Sequence, residues 1–159
     1  MTLPLESSMV ISGLGTPLLT GTISAPTVTE IGGVTPNNII RTDQDWQIKI
    51  DWSLQGSLLG TPFFSFVGEW VVRVYLESMG PSNEYEIPIG GSGAHVSVAT
   101  FTPDGPSKRD YTTTINIAPN AVVPGIYKMV VAVTYESSPG VPGPIAGFHE
   151  GGMLQLYEA

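Results

Sequence analysis

Residues 46–54 read Trp-Gln-Ile-Lys-Ile-Asp-Trp-Ser-Leu. Trp46, Ile48, Ile50, Trp52 and Leu54 are apolar, while Gln47, Lys49, Asp51 and Ser53 between them are polar. Successive side chains on a strand point to opposite faces, so this stretch predicts a strand with one face in a core and one in water. The pattern recurs. Residues 70–77 alternate Trp70, Val72, Val74 and Leu76 with Arg73, Tyr75 and Glu77. Residues 127–136 hold Tyr127, Met129, Val131, Val133 and Tyr135 in phase. Shorter runs follow the same rule at 85–89, 95–101 and 111–118, and again at 148–157, where Gly151-Gly152 predicts a bulge. An edge strand is expected at 22–31, where Pro26 is tolerated. Turn-forming clusters separate the runs, as at Gly80-Pro81-Ser82-Asn83 and Asp104-Gly105-Pro106. No stretch keeps a helical period. The reading is an all-β domain, a sandwich or, as second choice, a closed barrel.

The chain has 159 residues, enough for one domain with a self-sufficient core. It has no cysteine, which excludes disulfides, thiolate nucleophiles and cysteine-ligated metals. The net charge is −8, from 14 acids against 6 bases. The bases are scattered and only Lys108 and Arg109 adjoin, so no basic stripe exists for phosphates and nucleic acid is not an expected partner. Charged residues are only 13% of the chain, against about 25% in ordinary domains. Such a surface repels other proteins weakly, which favours self-association. Glycines and prolines interrupt every apolar run below the length of a membrane span, so no membrane insertion is expected. The first basic residue is Arg41, so no secretory n-region stands at the start. The expected location is cytoplasmic or particle-associated, unless the chain has been trimmed.

Residues 117–135 read Ile-Ala-Pro-Asn-Ala-Val-Val-Pro-Gly-Ile-Tyr-Lys-Met-Val-Val-Ala-Val-Thr-Tyr. A strand, a short crossing with Pro-Gly, and a Tyr that opens an alternating strand resemble the E–F corner of immunoglobulin-like sandwiches. The similarity is to fibronectin type III-like and bacterial adhesion-related modules in particular. It implies that Tyr127 is a tyrosine corner, that Trp70 is buried on strand C, and that Trp46 and Trp52 lie on strand B. The B–F disulfide of antibody domains has no counterpart here. The expected architecture is an immunoglobulin-like β-sandwich of seven to nine antiparallel strands over residues 23–159, preceded by an apolar arm over 1–22. The fold hosts many functions and by itself assigns none.

Candidate chemistry is sparse. Ser92 in Gly90-Gly91-Ser92-Gly93-Ala94 lacks the strand-turn-helix context of a nucleophile elbow and reads as a loop. His95 and His149 are too few for a metal site, and His149 and Glu150, as strand neighbours, face opposite ways. Asp43 and Asp45 begin a calcium-like spacing that nothing nearby completes. Glu84 and Glu86 share a strand face but read as a solvated edge. No catalytic residue, metal ligand or cofactor is assigned, and the chain is not expected to be an enzyme.

One segment stands out. Residues 58–67 read Leu-Leu-Gly-Thr-Pro-Phe-Phe-Ser-Phe-Val, without a charge, where loops are usually polar. Either it plugs one end of the sandwich or it presents an apolar patch. In an immunoglobulin-like sandwich it would share that end with the F–G connection, expected as a proline-stiffened loop over 137–145. Leu58, Leu59, Phe63, Phe64, Phe66 and Val141 are therefore the expected interaction residues. The reading is a non-catalytic structural or protein-interaction module, partnered by a second copy or another protein. The alternative is a carbohydrate- or small-ligand-binding sandwich, with Tyr75, Tyr85 and Tyr157 as the candidate contacts.

Overall fold

The computed structural model describes residues 2–7, 19–33, 35–61 and 65–159. Its strands are β1 (Thr2–Ser7), β2 (Thr20–Ser24), β3 (Thr27–Glu30), β4 (Ile39–Arg41), β5 (Trp46–Gln55), β6 (Glu69–Ser78), β7 (Tyr85–Ile87), β8 (Ala94–Ser97), β9 (Thr102–Pro103), β10 (Lys108–Ile117), β11 (Gly125–Ser138) and β12 (Val141–Tyr157). A single 3-10 turn, Ser57–Gly60, is the helical element among the described residues.

Two sheets face each other. The first joins β5 to β10 through an unbroken register from Gln55↔Lys108 to Trp46↔Ile117. Its flanks are β9 on β10 and the pair β2 and β3 on β5. The second joins β6, β11 and β12, with β7 and β8 both on the outer edge of β6. Strand β4 lies parallel to the end of β12, from Ile39↔Gln155 to Arg41↔Tyr157. Strand B (β5) pairs strand E (β10), and strand C (β6) pairs strand F (β11), which pairs strand G (β12). This is the immunoglobulin-like arrangement.

The strand count exceeds the expected seven to nine, and one pairing is parallel rather than antiparallel. Both differences have one cause. Short edge strands of two to four residues, too brief to show a period, surround the long ones. The expected edge strand at 22–31 is one such case, broken at Ala25-Pro26 into β2 and β3. Among the described residues the two sheets are joined along one side. Residues 2–5 of β1 pair with β2, and Glu6 and Ser7 pair with β12, so this part of the arm passes from one sheet to the other. Among the described residues no pairing joins β9 to β7 or β8, so the structure is not a closed barrel.

The alternation read at 46–54 is realised in full: Trp46, Ile48, Ile50, Trp52 and Leu54 are buried. Trp70, Val72, Val74, Leu76, Tyr127, Met129, Val131, Val133 and Tyr135, in phase in the two other long runs, are buried as well, and so are Val98, Ile115, Ile117, Leu154 and Leu156, while Val96 packs partly buried on the core from the edge strand β8. Trp70 sits at the centre of a ring cluster. Its centroid lies 6.0 Å from Trp52, 5.4 Å from Tyr111 and 5.8 Å from Tyr135. Edge-to-face pairs of this kind add about 0.5–1.5 kcal/mol each beyond burial. The Tyr127 hydroxyl donates to the Val123 carbonyl at 2.8 Å, which makes it the tyrosine corner. Burial raises the pKa of Tyr127 and of Tyr111, so both hydroxyls keep their proton and serve as donors.

The F–G segment differs from expectation. It is a strand hairpin, not a long loop: β11 runs to Ser138 and β12 begins at Val141. Pro139-Gly140 makes the turn, and Gly140 at φ 77° occupies the left-handed position that such a turn requires. Pro142 and Pro144 are accommodated because the β11–β12 register slips around Glu136, leaving ladder positions without a required N–H. The bulge expected at Gly151-Gly152 is present, with Lys128↔Met153 and Val130↔Glu150 on either side.

Candidate functional site

All the sequence-selected interaction residues but Phe63 and Phe64 can be placed. Phe66 lies half-buried against the ring cluster, 4.7 Å from Tyr135 and 5.9 Å from Trp70. Leu58 and Leu59, in the 3-10 turn, pack partly buried on the core. The Tyr135 hydroxyl donates to the Val67 carbonyl and fastens the end of this loop to β11. Gly68 is tightly seated there: a Cβ at this position would lie 2.1 Å from the Glu136 carbonyl oxygen. Val141 is exposed at the start of β12. Phe63 and Phe64 lie outside the described residues. The described part of the 58–67 segment thus folds onto the sandwich end.

The three tyrosines are not one site. Tyr75 and Tyr85 meet at a shallow pocket of about 290 Å³ with Glu77, Glu84 and Glu86. Tyr85 also packs edge-on to Tyr127 at 6.1 Å and accepts the Val123 N–H. Tyr157 stands apart, beside Arg41 at the β4–β12 edge.

Asp43, His95 and Glu150 are engaged within the fold. Asp43 accepts from Arg41 at 3.0 Å and 2.5 Å, and this bidentate contact lowers its pKa. His95 is exposed; its Nδ1 lies 2.9 Å from Glu69 and its Nε2 2.9 Å from the Ser92 carbonyl. His149 is buried while Glu150 points out to Lys128 at 3.1 Å, as neighbours on a strand should. Among the described residues no group of three His, Asp or Glu is placed to hold a metal. No helix there is long and apolar enough to cross a membrane.

The surface that sequence reading missed is the outer face of the second sheet. Register brings its outward side chains together. Phe148 lies opposite Ala132, Tyr75 opposite Val130, Met153 opposite Lys128, and Ile126 opposite Gln155, which in turn faces Ile39. Phe148 is 57% exposed, Ile39 52%, Ile126 49% and Met153 47%. They fall into two groups on this face, Phe148 with Ala132, Val130 and Tyr75, and Ile126 with Met153 and Ile39 around Gln155, with the Lys128–Glu150 ion pair between them. The Gly151-Gly152 bulge is what puts both groups on the same face. Phe148 faces outward before the bulge, and the extra residue re-phases Met153 and Tyr157 to face outward after it. The signal was present in the sequence, since residues 129–133 are apolar in both phases.

These features define an immunoglobulin-like β-sandwich with several exposed apolar side chains on one outer sheet face. Among solved structures, the C-terminal domain of wzt superposes with a TM-score of 0.51, covering 87% of this chain and 74% of that chain at 12% identity. A beta-glucosidase from Listeria innocua, solved in complex with glucose, overlaps at a TM-score of 0.42 and 12% identity, over 89% of this chain and 17% of that chain. At this identity the likeness to the wzt domain speaks for shared fold alone. No family model and no curated protein matches the chain.

Proposed function

We propose that the protein is a non-catalytic interaction module that contacts a second copy of itself through the outer face of the β6–β11–β12 sheet. The observation that carries this reading is the exposed set Ile126, Phe148 and Met153 on adjacent strands. Burying a Phe or Met side chain gains about 1.5–3 kcal/mol, so a few such groups can anchor an interface. The charges among these groups, Lys128–Glu150 and Arg73–Glu86, are already paired at 3.1 Å each and do not repel a second copy strongly. Light scattering across a concentration series tests it. The native protein should gain mass with concentration. Phe148→Ser with Met153→Ser should stay folded and remain at monomer mass. A native protein that is monomeric at every concentration sinks the reading.

Small-ligand binding is a second reading, favoured by the Tyr75–Tyr85 pocket. A ligand held there would lose most of its affinity in Tyr75→Ala, measured by calorimetric titration, and an unchanged affinity would reject that pocket.

A further inference from the structure

The outer face of the first sheet carries a concavity of about 510 Å³. Strand register builds it. Thr22 faces Ser53, Ser53 faces Asp110 and Asp110 faces Thr102, one row across four strands. The next row sets Asp51 against Thr112, with Lys49 beyond it on the same face of β5. None of the large exposed apolar side chains of the described residues lies on β2, β3, β5, β9 or β10.

The charges in this groove cancel. Its lining holds Lys49 and Lys108 against Asp51 and Asp110. Lys49 Nζ lies 3.5 Å from Asp51, and Lys108 Nζ lies 2.8 Å from Asp104 at the groove's margin and 3.7 Å from Asp110. In a chain of net charge −8 this is a locally neutral surface. Each charged group of the lining has an opposite charge within 4 Å, so a charged ligand must compete with a pair already formed. A neutral ligand rich in hydroxyls finds carboxylates that accept, ammonium groups that donate, and Ser and Thr hydroxyls that do both. The volume falls in the range of small-molecule sites, about 300–1,000 Å³.

The groove is also stiff. Trp52 and Tyr111 are paired residues beneath it, and on the core side their rings stack at 5.6 Å with an interplanar angle of 10°. The Tyr111 hydroxyl donates to the Val98 carbonyl at 2.8 Å, tying this strand to the opposite layer. Thr22 and Ser53 hydroxyls already bond each other at 2.9 Å. A polar array fixed before binding loses less entropy on binding.

We propose that this groove binds a neutral saccharide unit, with Asp51, Asp110 and Thr112 as its principal contacts. The inference does not depend on the apolar face of the other sheet. The test is an amide NMR titration of the isotope-labelled protein. The probes are glucose, galactose, N-acetylglucosamine, maltose and cellobiose, with glucosamine as a cationic control and galacturonate as an anionic one. At least one neutral probe should give saturable shifts centred on residues 51–53 and 110–112, and neither charged control should bind more tightly. A disaccharide preferred over its monosaccharide would mark the natural ligand as part of a glycan chain, and equal affinity would mark it as a free sugar. Asp51→Asn and Asp110→Asn should each weaken binding about tenfold or more. Thr112→Val, nearly the same shape, should weaken it less with no change in melting temperature. The proposal is overturned by a neutral panel without saturable shifts, by shifts centred on Tyr75 and Tyr85, or by affinity unchanged in all three variants.

Discussion

The two sheets share one core and show the solvent opposite faces. Inward, both obey the same alternation: Ile48, Ile50 and Trp52 on β5 meet Trp70, Val72 and Val74 on β6 across the sandwich, all buried. Outward, β5 carries Gln47, Lys49, Asp51 and Ser53, while β11 and β12 carry Ile126, Phe148 and Met153. Folding requires only the inward half of each strand. The outward half answers to whatever that face meets, so the two outer faces point to different environments in use. A polar face is at rest in water. A face with a phenylalanine more than half exposed is costlier to leave uncovered.

The most severe test of a shared core is Trp70→Ala. The ring touches Trp52 and Tyr111 of the first sheet and Tyr135 of the second. Its loss should cost about 3–5 kcal/mol. Calorimetry should still show one transition at a lower temperature. Two separate transitions would break the comparison, because the sheets would then be independent units.

A milder test probes the joint between the sheets. Residues 118–124 carry the chain from β10 in the first sheet to β11 in the second, and Tyr127 clasps that crossing at Val123. Tyr127→Phe keeps the buried ring and removes the hydrogen bond. The loss should be about 1 kcal/mol, or roughly 2–4 °C in melting temperature for a chain of this size. A loss as large as that of Trp70→Ala would mean that the joint, not the core, holds the sheets together.

The smallest expected effect is at the edge of the second sheet and depends on pH. His95 on β8 has its pKa raised above 6.5, first by its hydrogen bond to Glu69 and next by the Ser92 carbonyl. A raised pKa means the folded protein holds this proton more tightly than the unfolded chain does. The stabilisation is therefore complete below pH 6.5 and disappears as pH rises through the folded value above it. The side chain is 45% exposed, so solvent screens most of the effect. Melting curves should show a slight fall over that window in the native protein and none in His95→Gln. An identical fall in both would remove His95 from the account.

The long strands were legible because burial imposes a period of two, and ten residues of β5 or β6 give that period room to show. The tyrosine corner and the Gly151-Gly152 bulge were legible because each needs particular residues at particular places. The β11–β12 hairpin was not. Pro139, Pro142 and Pro144 read as a loop, since sequence alone does not tell which ladder positions dispense with an N–H. The short edge strands were hidden for another reason: three residues have no measurable period, and their pairing is dictated by the neighbour. The outer apolar face was overlooked because an inward phase accounts for a strand fully, which draws attention from apolar residues in the other phase.

The parallel pairing of β4 with the end of β12 bears on mechanics. Gln155 and Leu156 are bonded on one side to β11 and on the other to β4. A pull on the chain end beyond Tyr157 runs along the axis of β12. It loads the hydrogen bonds on both flanks together, in shear, and does not peel them off one at a time. A strand gripped on both sides yields only when many bonds fail at once. The last strand, a wall of the core, would therefore also resist such a pull better than a strand paired on one side.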